Sequence, residues 1–346
     1  MMLPRERVEA ALSFRPPDVV PLQIHPSPAG MFEHGERLLD LFRACGHDFG
    51  DAADIEMPTP PGPNDWDPDG RYHIFRTDEW GTRWEHRLFG VWGYRIGYPL
   101  ADLGALDAYR APEPPASEGP EFEAERAKVA ALKPRYYTTA TGGLLFEQMQ
   151  SLRAFEDVLI EIHLGAPEIH RIADLVVEYN LRLVERALAL DVDAVTFGDD
   201  YGGKEGMLLS IADWRRFFRP RYARLFEPVR RAGKRIFFHC CGQAMDLLPE
   251  LADLGVSAVW PQLTSYDEEA LARRCRELGL AIQLHPDRGD LMQRRSPEEV
   301  RAYVRSLVER FGTRAGGSWL YVEIDPGFSF ENVRALVETA MELRRT

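Results

Sequence analysis

The sequence predicts an α/β fold: a (β/α)8 TIM barrel with an N-terminal extension and a β-hairpin excursion. From about residue 134, short β-branched segments alternate with amphipathic segments long enough for helices, which is typical of parallel βαβ units. At least six such units follow one another, and this favours a closed barrel over the alternative, an open doubly wound sheet. The polar residues of interest directly follow the strand segments, where TIM barrels carry their reactive side chains.

Residues 1–133 are expected to form the extension and the first strand. Residues 4–14 have apolar side chains at helical spacing and are followed by a proline pair that stops a helix. Residues 19–24 then predict a short buried strand. Residues 58–69 are rich in Pro, Gly and Asp and predict an irregular loop, whereas the alternation of aromatic and polar residues over 73–98 predicts a hairpin.

Residues 134–346 are expected to hold the regular βα repeats, and the whole chain, 1–346, is predicted to be a single domain. The predicted strands are 136–141, 194–198, 235–240, 258–262, 281–285 and 319–324. The predicted helices are 144–162, 211–231, 243–254, 267–278, 297–311 and 331–344.

The composition limits the classes of partner and compartment. A net charge of -13 argues against nucleic acid and anionic membranes, because both require a basic surface. The four cysteines are not spaced like the framework of a disulfide-rich secreted domain. The N-terminus has no apolar signal-peptide core, and no run of about 20 apolar residues occurs. We therefore expect a cytoplasmic protein that binds a small molecule.

A candidate metal site lies at the end of the strand predicted over 235–240. His239 and Cys241 are two residues apart, so their side chains point the same way, and imidazole and thiolate are ligands that zinc prefers. Glu323, at the end of the last predicted strand, is the best-placed third ligand. His-x-Cys alone occurs often by chance, so the alternative of a buried His and Cys in the core stays open.

A second group of candidates follows the strand predicted over 194–198. Asp199 and Asp200 precede a glycine pair in the run GDDYGGKEG, and either is a candidate general base or partner of a ligand or a zinc-bound histidine. The simpler interpretation is that one of them caps the next helix or pairs with Lys204. Tyr201 and Lys204 belong to the same loop and are predicted to contact the substrate.

Other predicted substrate-binding residues stand at further strand ends. Arg288, together with His285 in LHPDRGD, is suited to holding a carboxylate or phosphate, although a structural salt bridge explains it equally well. Gln262 ends one strand and His25 ends the first, but a histidine before proline is also common in ordinary loops. Four tryptophans offer a wall for a flat or apolar group, or simply pack the hairpin: Trp66, Trp80, Trp84 and Trp92.

Several stretches resemble the uroporphyrinogen decarboxylase superfamily. They include LFEQMQSLRAFEDVLIEIHLGAPEIHRIADLVVEY, GDDYGGKEGMLLSIADWRRFFRPRYARLFEPVRRAGKRIFFHCCG and MDLLPELADLGVSAVWPQ. The similarity extends over nearly the whole chain and is most specific within residues 144–262. It implies a TIM barrel and one of two chemistries, decarboxylation of a tetrapyrrole or zinc-dependent methyl transfer.

The residues resemble the methyltransferase branch more than the decarboxylases. Decarboxylases of the superfamily carry an RQAGRY segment near the N-terminus, where this chain reads QIHPSPAGMF. The methyltransferases share the H-x-C-G run seen here from His239 to Gly242 and move methyl groups between a corrinoid protein and a thiol or folate. Their third zinc ligand is typically a cysteine, and here Glu323 falls near that place. The resemblance thus implies Zn2+, with any corrinoid on a partner protein because no DxHxxG segment is present.

Replacing a thiolate with a carboxylate would leave a harder Lewis acid, which favours an oxygen or nitrogen acceptor, or an ether or alcohol substrate. Two other functions stay open. One is a zinc-dependent lyase, hydrolase or decarboxylase on the same barrel, which a corrinoid requirement would exclude. The other is a non-catalytic member that binds a small ligand, which loss of all metal binding would favour.

Overall fold

The computed structural model describes residues 1–345, which form one curved parallel sheet, one small antiparallel sheet and surrounding helices. The strands are β1 (Leu22–His25), β2 (Ile74–Thr77), β3 (Arg83–His86), β4 (Tyr94–Gly97), β5 (Thr139–Thr141), β6 (Ala194–Gly198), β7 (Arg235–Cys240), β8 (Ala258–Pro261), β9 (Ala281–Leu284) and β10 (Ser318–Glu323). The parallel sheet has the order β1-β10-β9-β8-β7-β6-β5. The predicted α/β, TIM-barrel-like fold is confirmed.

The helices cover the outside of this sheet and close its N-terminal end. They are α1 (Pro4–Leu12), α2 (Pro28–His34), α3 (Glu36–Cys45), α4 (Pro120–Leu132), α5 (Phe146–Leu152), α6 (Phe155–Leu164), α7 (Pro167–Ala189), α8 (Ile211–Phe217), α9 (Arg219–Arg231), α10 (Leu248–Asp253), α11 (Glu268–Leu278), α12 (Asp290–Arg294), α13 (Pro297–Arg310) and α14 (Phe330–Leu343). No helix within residues 1–345 has the length and apolar character needed to cross a membrane.

The eighth strand position is filled by the backbone of a single residue. Asp48 donates its N–H to the carbonyl of Leu22 at 2.8 Å and accepts from the N–H of Tyr137 at 2.9 Å. Its buried carboxylate is held by Arg7, Arg344 and the backbone N–H of Leu22. A single residue cannot form a repeating pattern of apolar and polar side chains, so the sequence pattern could not reveal that Asp48 fills this strand position.

Several predicted elements differ in detail from the observed ones: the helix predicted over 211–231 is divided into α8 and α9, and the strand and helix predicted over 136–141 and 243–254 are shorter. The predicted hairpin is a three-stranded antiparallel sheet, β2-β3-β4, with an irregular register at Arg83 and Trp84. The helix predicted over 144–162 is interrupted at Arg153, whose backbone is extended. The buried Arg153 guanidinium binds Glu161 and the carbonyls of the 100–101 segment, so tertiary contacts break the helix.

The barrel interior is filled in layers that end below the site. The layer nearest the N-terminal ends of the strands contains one residue from each of β6 to β10, together with Tyr137 and two residues of α1. The strand residues are Ala194, Phe237, Ala258, Ala281 and Trp319, and the α1 residues are Val8 and Leu12. Neighbouring strand residues such as Ile236 and Phe238 belong to the outer core under the helices. Since side chains alternate along a strand, the residues two and four positions further on point into the C-terminal mouth.

Candidate metal centre and ligand cavity

The alternation brings the predicted metal ligands to the barrel mouth. His239 follows the inward-facing Phe237 by two residues, and Cys241 follows His239 by two. Cys240 belongs instead to the outer core. Gly242 has a φ of 70°, and a Cβ there would lie 2.1 Å from the carbonyl oxygen of Gly202. Only glycine therefore permits this close approach of the two loops.

Three side chains of different chemistry converge at this point. The Nε2 of His239 lies 3.2 Å from the Sγ of Cys241 and 3.5 Å from the Oδ1 of Asp200. The ligand atoms of all three residues lie within 4.8 Å of one another. A nitrogen, a sulfur and a carboxylate oxygen at this separation match the donor set that zinc accepts, so the residues fit the predicted metal.

The surrounding contacts orient these donors. The Nδ1–H of His239 donates to the carbonyl of Trp260 at 2.8 Å, which leaves Nε2 as the lone-pair donor of the neutral ring. Burial lowers the pKa of His239 and raises the pKa of Cys241 to about 12. Asp200 accepts the backbone N–H of Cys241 at 2.8 Å. This hydrogen bond holds the loop that carries Cys241 and sets the orientation of the Asp200 carboxylate.

Glu323, the third ligand predicted from the sequence, lies elsewhere in the mouth. It follows the inward-facing Tyr321 on β10, three positions along the sheet from β7. Its Oε1 is 3.9 Å from the Nε2 of His25. Among residues 1–345 the acid grouped with His239 and Cys241 is Asp200. The geometry thus favours Asp200 over Glu323, because Asp200 follows by two residues the end of β6, the strand next to β7.

Asp199 and Tyr201, predicted as site residues, are buried behind the barrel wall. Asp199 is 2% exposed and accepts the N–H groups of Leu145 and Glu147 at 2.9 and 2.8 Å and the Tyr222 hydroxyl. Burial raises its pKa to about 7. Tyr201 is fully buried and its hydroxyl hydrogen-bonds Tyr222. Both residues have the outward parity of β6, so their side chains point away from the barrel mouth, and the base and substrate contact predicted for them stay predictions.

The remaining predicted loop residues have distinct positions. Lys204 is exposed and makes no hydrogen bond or ion pair with the part of the chain that the structure describes. Gln262 accepts the N–H of Gly242 through Oε1 at 3.0 Å and thereby holds the loop that carries Cys241. His25 is half-exposed on the rim beside Glu323.

A cavity of about 570 Å³ opens beside His239 and Cys241. Its walls include three of the predicted substrate-binding residues, Gln262, His285 and Arg288. Arg288 contacts Asp325 at 3.2 Å, so the predicted salt-bridge alternative is also realised. His285 is 8% exposed, and burial lowers its pKa well below the usual range.

The sequence did not single out several residues of this cavity. Trp260 lies between His239 and His285 on the wall, and Leu88 and Val91 of the loop between β3 and β4 cover the mouth. Trp260 follows the inward-facing Ala258 by two residues, so strand parity could have identified it. The loop contacts depend on Gly90, where a Cβ would lie 2.5 Å from the backbone nitrogen of Ala29, and no sequence pattern shows this.

Comparison with solved structures supports the fold. A methyltransferase from Methanosarcina mazei is 14% identical, with a TM-score of 0.64, over 99% of both chains. A B12-independent methionine synthase from Shewanella sp. W3-18-1 is 10% identical with a TM-score of 0.47, covering 89% of this chain and 84% of its own. At these identities the first likeness shows a shared fold, and the second carries no further argument. No curated protein sequence matches the chain.

A family profile identifies the chain more directly. The uroporphyrinogen decarboxylase (URO-D) profile matches residues 113–343. This range covers more than half of the chain and includes the strands that carry His239, Cys241 and Glu323. The chain belongs to the uroporphyrinogen decarboxylase family.

Proposed function

We propose that this protein is a zinc-dependent methyltransferase, which moves a methyl group between a corrinoid protein or a methylated small molecule and a thiol, folate or related acceptor. The observation that carries the proposal is the convergence of Asp200, His239 and Cys241 within 4.8 Å at the barrel mouth. When bound, zinc supplies Lewis-acid activation of the acceptor atom. We assign its protein ligands to His239, Cys241 and Asp200.

The chain's own residues prepare the site for such a reaction. The Trp260 carbonyl holds the His239 ring in one tautomer, and the Gln262 side chain fixes the loop of Cys241. Glu323 is a candidate base for the proton that the methyl-accepting group loses, because burial raises the pKa of the Glu323 carboxyl. His25, 3.9 Å away and half-exposed, offers a path from that carboxyl to solvent.

The cavity argues against tetrapyrrole decarboxylation. A tetrapyrrole with many carboxylates would need several cationic partners, yet Arg288 is the single Lys or Arg among the described residues that line the cavity. A volume of about 570 Å³ suits a small molecule. A corrinoid would therefore reach the mouth from outside, on a partner protein.

The first experiment is elemental analysis of protein purified without chelators. We expect about one zinc per chain in wild type, loss in His239→Ala and Cys241→Ser, and a marked decrease in Asp200→Asn. Asp325→Asn, a change on the cavity wall outside the three donors, is the matched control and should keep its zinc. Glu323→Gln distinguishes the two candidate third ligands, since zinc retention assigns Asp200.

Methyl transfer is then assayed with free methylcobalamin and a thiol acceptor, following the corrinoid absorbance. Zinc-dependent loss of the methyl group from cobalamin supports the proposal. Wild-type protein that neither contains zinc nor takes it up refutes it. Zinc-dependent turnover of small molecules without any corrinoid would instead indicate a lyase or hydrolase.

A further inference from the structure

The cavity beside the candidate metal centre has one large aromatic wall residue whose position is fixed by its neighbours. The ring centroid of Trp260 lies 4.2 Å from that of His239, 4.7 Å from Tyr321 and 5.7 Å from His285. Trp260 is nevertheless only half-buried, because it lines the cavity. An indole held in this way favours a flat ring as its ligand, through stacked or edge-to-face contact.

The loop between β3 and β4 adds apolar surface to the same cavity. Leu88 and Val91 line it, and Leu88 is 54% exposed. Gly90, between them, fits closely against the start of α2, where a Cβ would lie 2.5 Å from the Ala29 nitrogen. The loop is thus seated against the barrel and presents aliphatic side chains that a flat ligand would cover.

The cavity lining holds both carboxylates and hydrogen-bond donors. The carboxylates are already engaged, since Asp287 accepts the N–H groups of Gly289 and Leu291 and Asp325 pairs with Arg288, whereas several donors are free. Arg288 makes one contact, through Nη1 to Asp325 at 3.2 Å, and its other guanidinium nitrogens have no partner within residues 1–345. Gln262 uses its Oε1 on Gly242, so its amide N–H groups stay available. His285 is nine-tenths buried, and its Nε2 has no hydrogen-bond partner in the described chain.

An unpartnered buried nitrogen requires an explanation, because buried polar groups are almost always hydrogen-bonded. A ligand with acceptor oxygens at this end would use the free donors of Arg288 and Gln262 and bring a polar atom towards His285. A carboxylate is the group that an arginine with free nitrogens recognises best.

We propose that the cavity binds an aromatic carboxylate, with its ring against Trp260 and its carboxylate at Arg288. This inference rests on the proposed function in one respect, because it takes the aromatic carboxylate to be the small molecule on which the methyltransferase acts. Binding does not depend on turnover, so the two proposals are tested separately.

The test is calorimetric titration of the full chain with three probes of similar size. Benzoate is planar and anionic, benzamide is planar and neutral, and cyclohexanecarboxylate is anionic without a flat ring. We expect benzoate to bind at least tenfold more tightly than either of the other two. Equal affinity for benzoate and benzamide, equal affinity for benzoate and cyclohexanecarboxylate, or no binding of benzoate would each refute the proposal.

Variants locate the site. Arg288→Gln should weaken benzoate at least tenfold and leave benzamide unchanged, while Arg273→Gln, an exposed arginine on α11, is the matched control. Trp260→Leu should weaken both planar probes, with Trp66→Leu as its control, because Trp66 packs against Phe32 and Tyr72 outside the cavity lining. Urea unfolding of each variant shows whether it is folded. If Trp260→Leu does not fold, the three probes measured on the wild-type protein still decide the proposal.

Zinc content separates the two proposals. Benzoate binding by wild-type protein that takes up no zinc would support the ligand class and refute the methyltransferase. Zinc-bound protein that ignores benzoate would leave the methyltransferase standing and refute the ligand class.

Discussion

Replacing the adjacent residues Asp199 and Asp200 by alanine, one at a time, should impair two different properties of the protein. Asp199 is 2% exposed and accepts two backbone N–H groups and the Tyr222 hydroxyl. The Asp200 side chain is 40% exposed and stands with His239 and Cys241. Loss of Asp199 should therefore impair folding, and loss of Asp200 should impair zinc binding.

The magnitudes follow from the hydrogen bonds that each change removes. Asp199→Ala leaves three donors in a buried space, and each unsatisfied donor costs about 1–3 kcal/mol. Allowing for relaxation of the site, we expect the free energy of unfolding to fall by about 3–5 kcal/mol. Asp200→Ala removes one acceptor from the Cys241 N–H at a half-exposed position, so the expected loss is only about 0.5–1.5 kcal/mol.

Urea unfolding followed by circular dichroism, combined with zinc analysis of the folded protein, measures both effects. Asp199→Asn is the conservative variant, which keeps one acceptor oxygen and should fall between wild type and Asp199→Ala in stability. Two results would refute the reasoning. One is equal stability of the two alanine variants. The other is an Asp199→Asn protein with wild-type stability and zinc content but no turnover, which would make Asp199 a catalytic base after all.

Three further predictions concern the scaffold. Asp48→Ala leaves the guanidinium groups of Arg7 and Arg344 facing each other without their buried partner. Urea titration should therefore show that the free energy of unfolding falls by about 3–5 kcal/mol. A decrease under about 1 kcal/mol would contradict the role of Asp48 in barrel closure. Burial lowers the pKa of His47 from 6.5 to about 4, so the unfolded chain binds the extra proton first and stability is lost as the pH falls from about 6.5 to about 4. His47→Gln should reduce the stability difference between pH 7.5 and pH 5 by about 2 kcal/mol, and an unchanged difference would exclude the burial effect. Gly202→Ala would place a Cβ 2.4–2.6 Å from backbone atoms of the loop after β7, so zinc content should fall, and full retention of zinc would show that the loops can separate.

The sequence located the strands that carry the site with little error. The segments over 194–198 and 235–240 match β6 and β7 residue for residue. Strand alternation also predicted that the side chains of His239 and Cys241 point the same way, and the two do meet. These features are local, because a strand's length and the direction of its side chains follow from a few consecutive residues.

The same alternation, applied further, would have distinguished the two aspartates. Val195 and Phe197 belong to the outer core, and Asp199 continues their parity, whereas Asp200 has the parity of the mouth. A strand end by itself does not decide which face each acid takes, so the two residues were left equivalent. The burial of Asp199 was thus accessible in principle.

The proximity of Asp200 to His239 and Cys241 was not accessible from the sequence, because it depends on which strands are neighbours. Asp200 joins His239 and Cys241 since β6 pairs with β7 in a register that sets Gly198 against His239, while Glu323 pairs with His25. The single-residue closure at Asp48 and the seating of the 87–93 loop on the mouth likewise bring together segments far apart in the chain. The sequence by itself determined the barrel, its strand ends and the residue types suited to zinc. Only the tertiary structure decided which of them meet, because distances across the mouth are set by sheet register and loop packing rather than by local spacing.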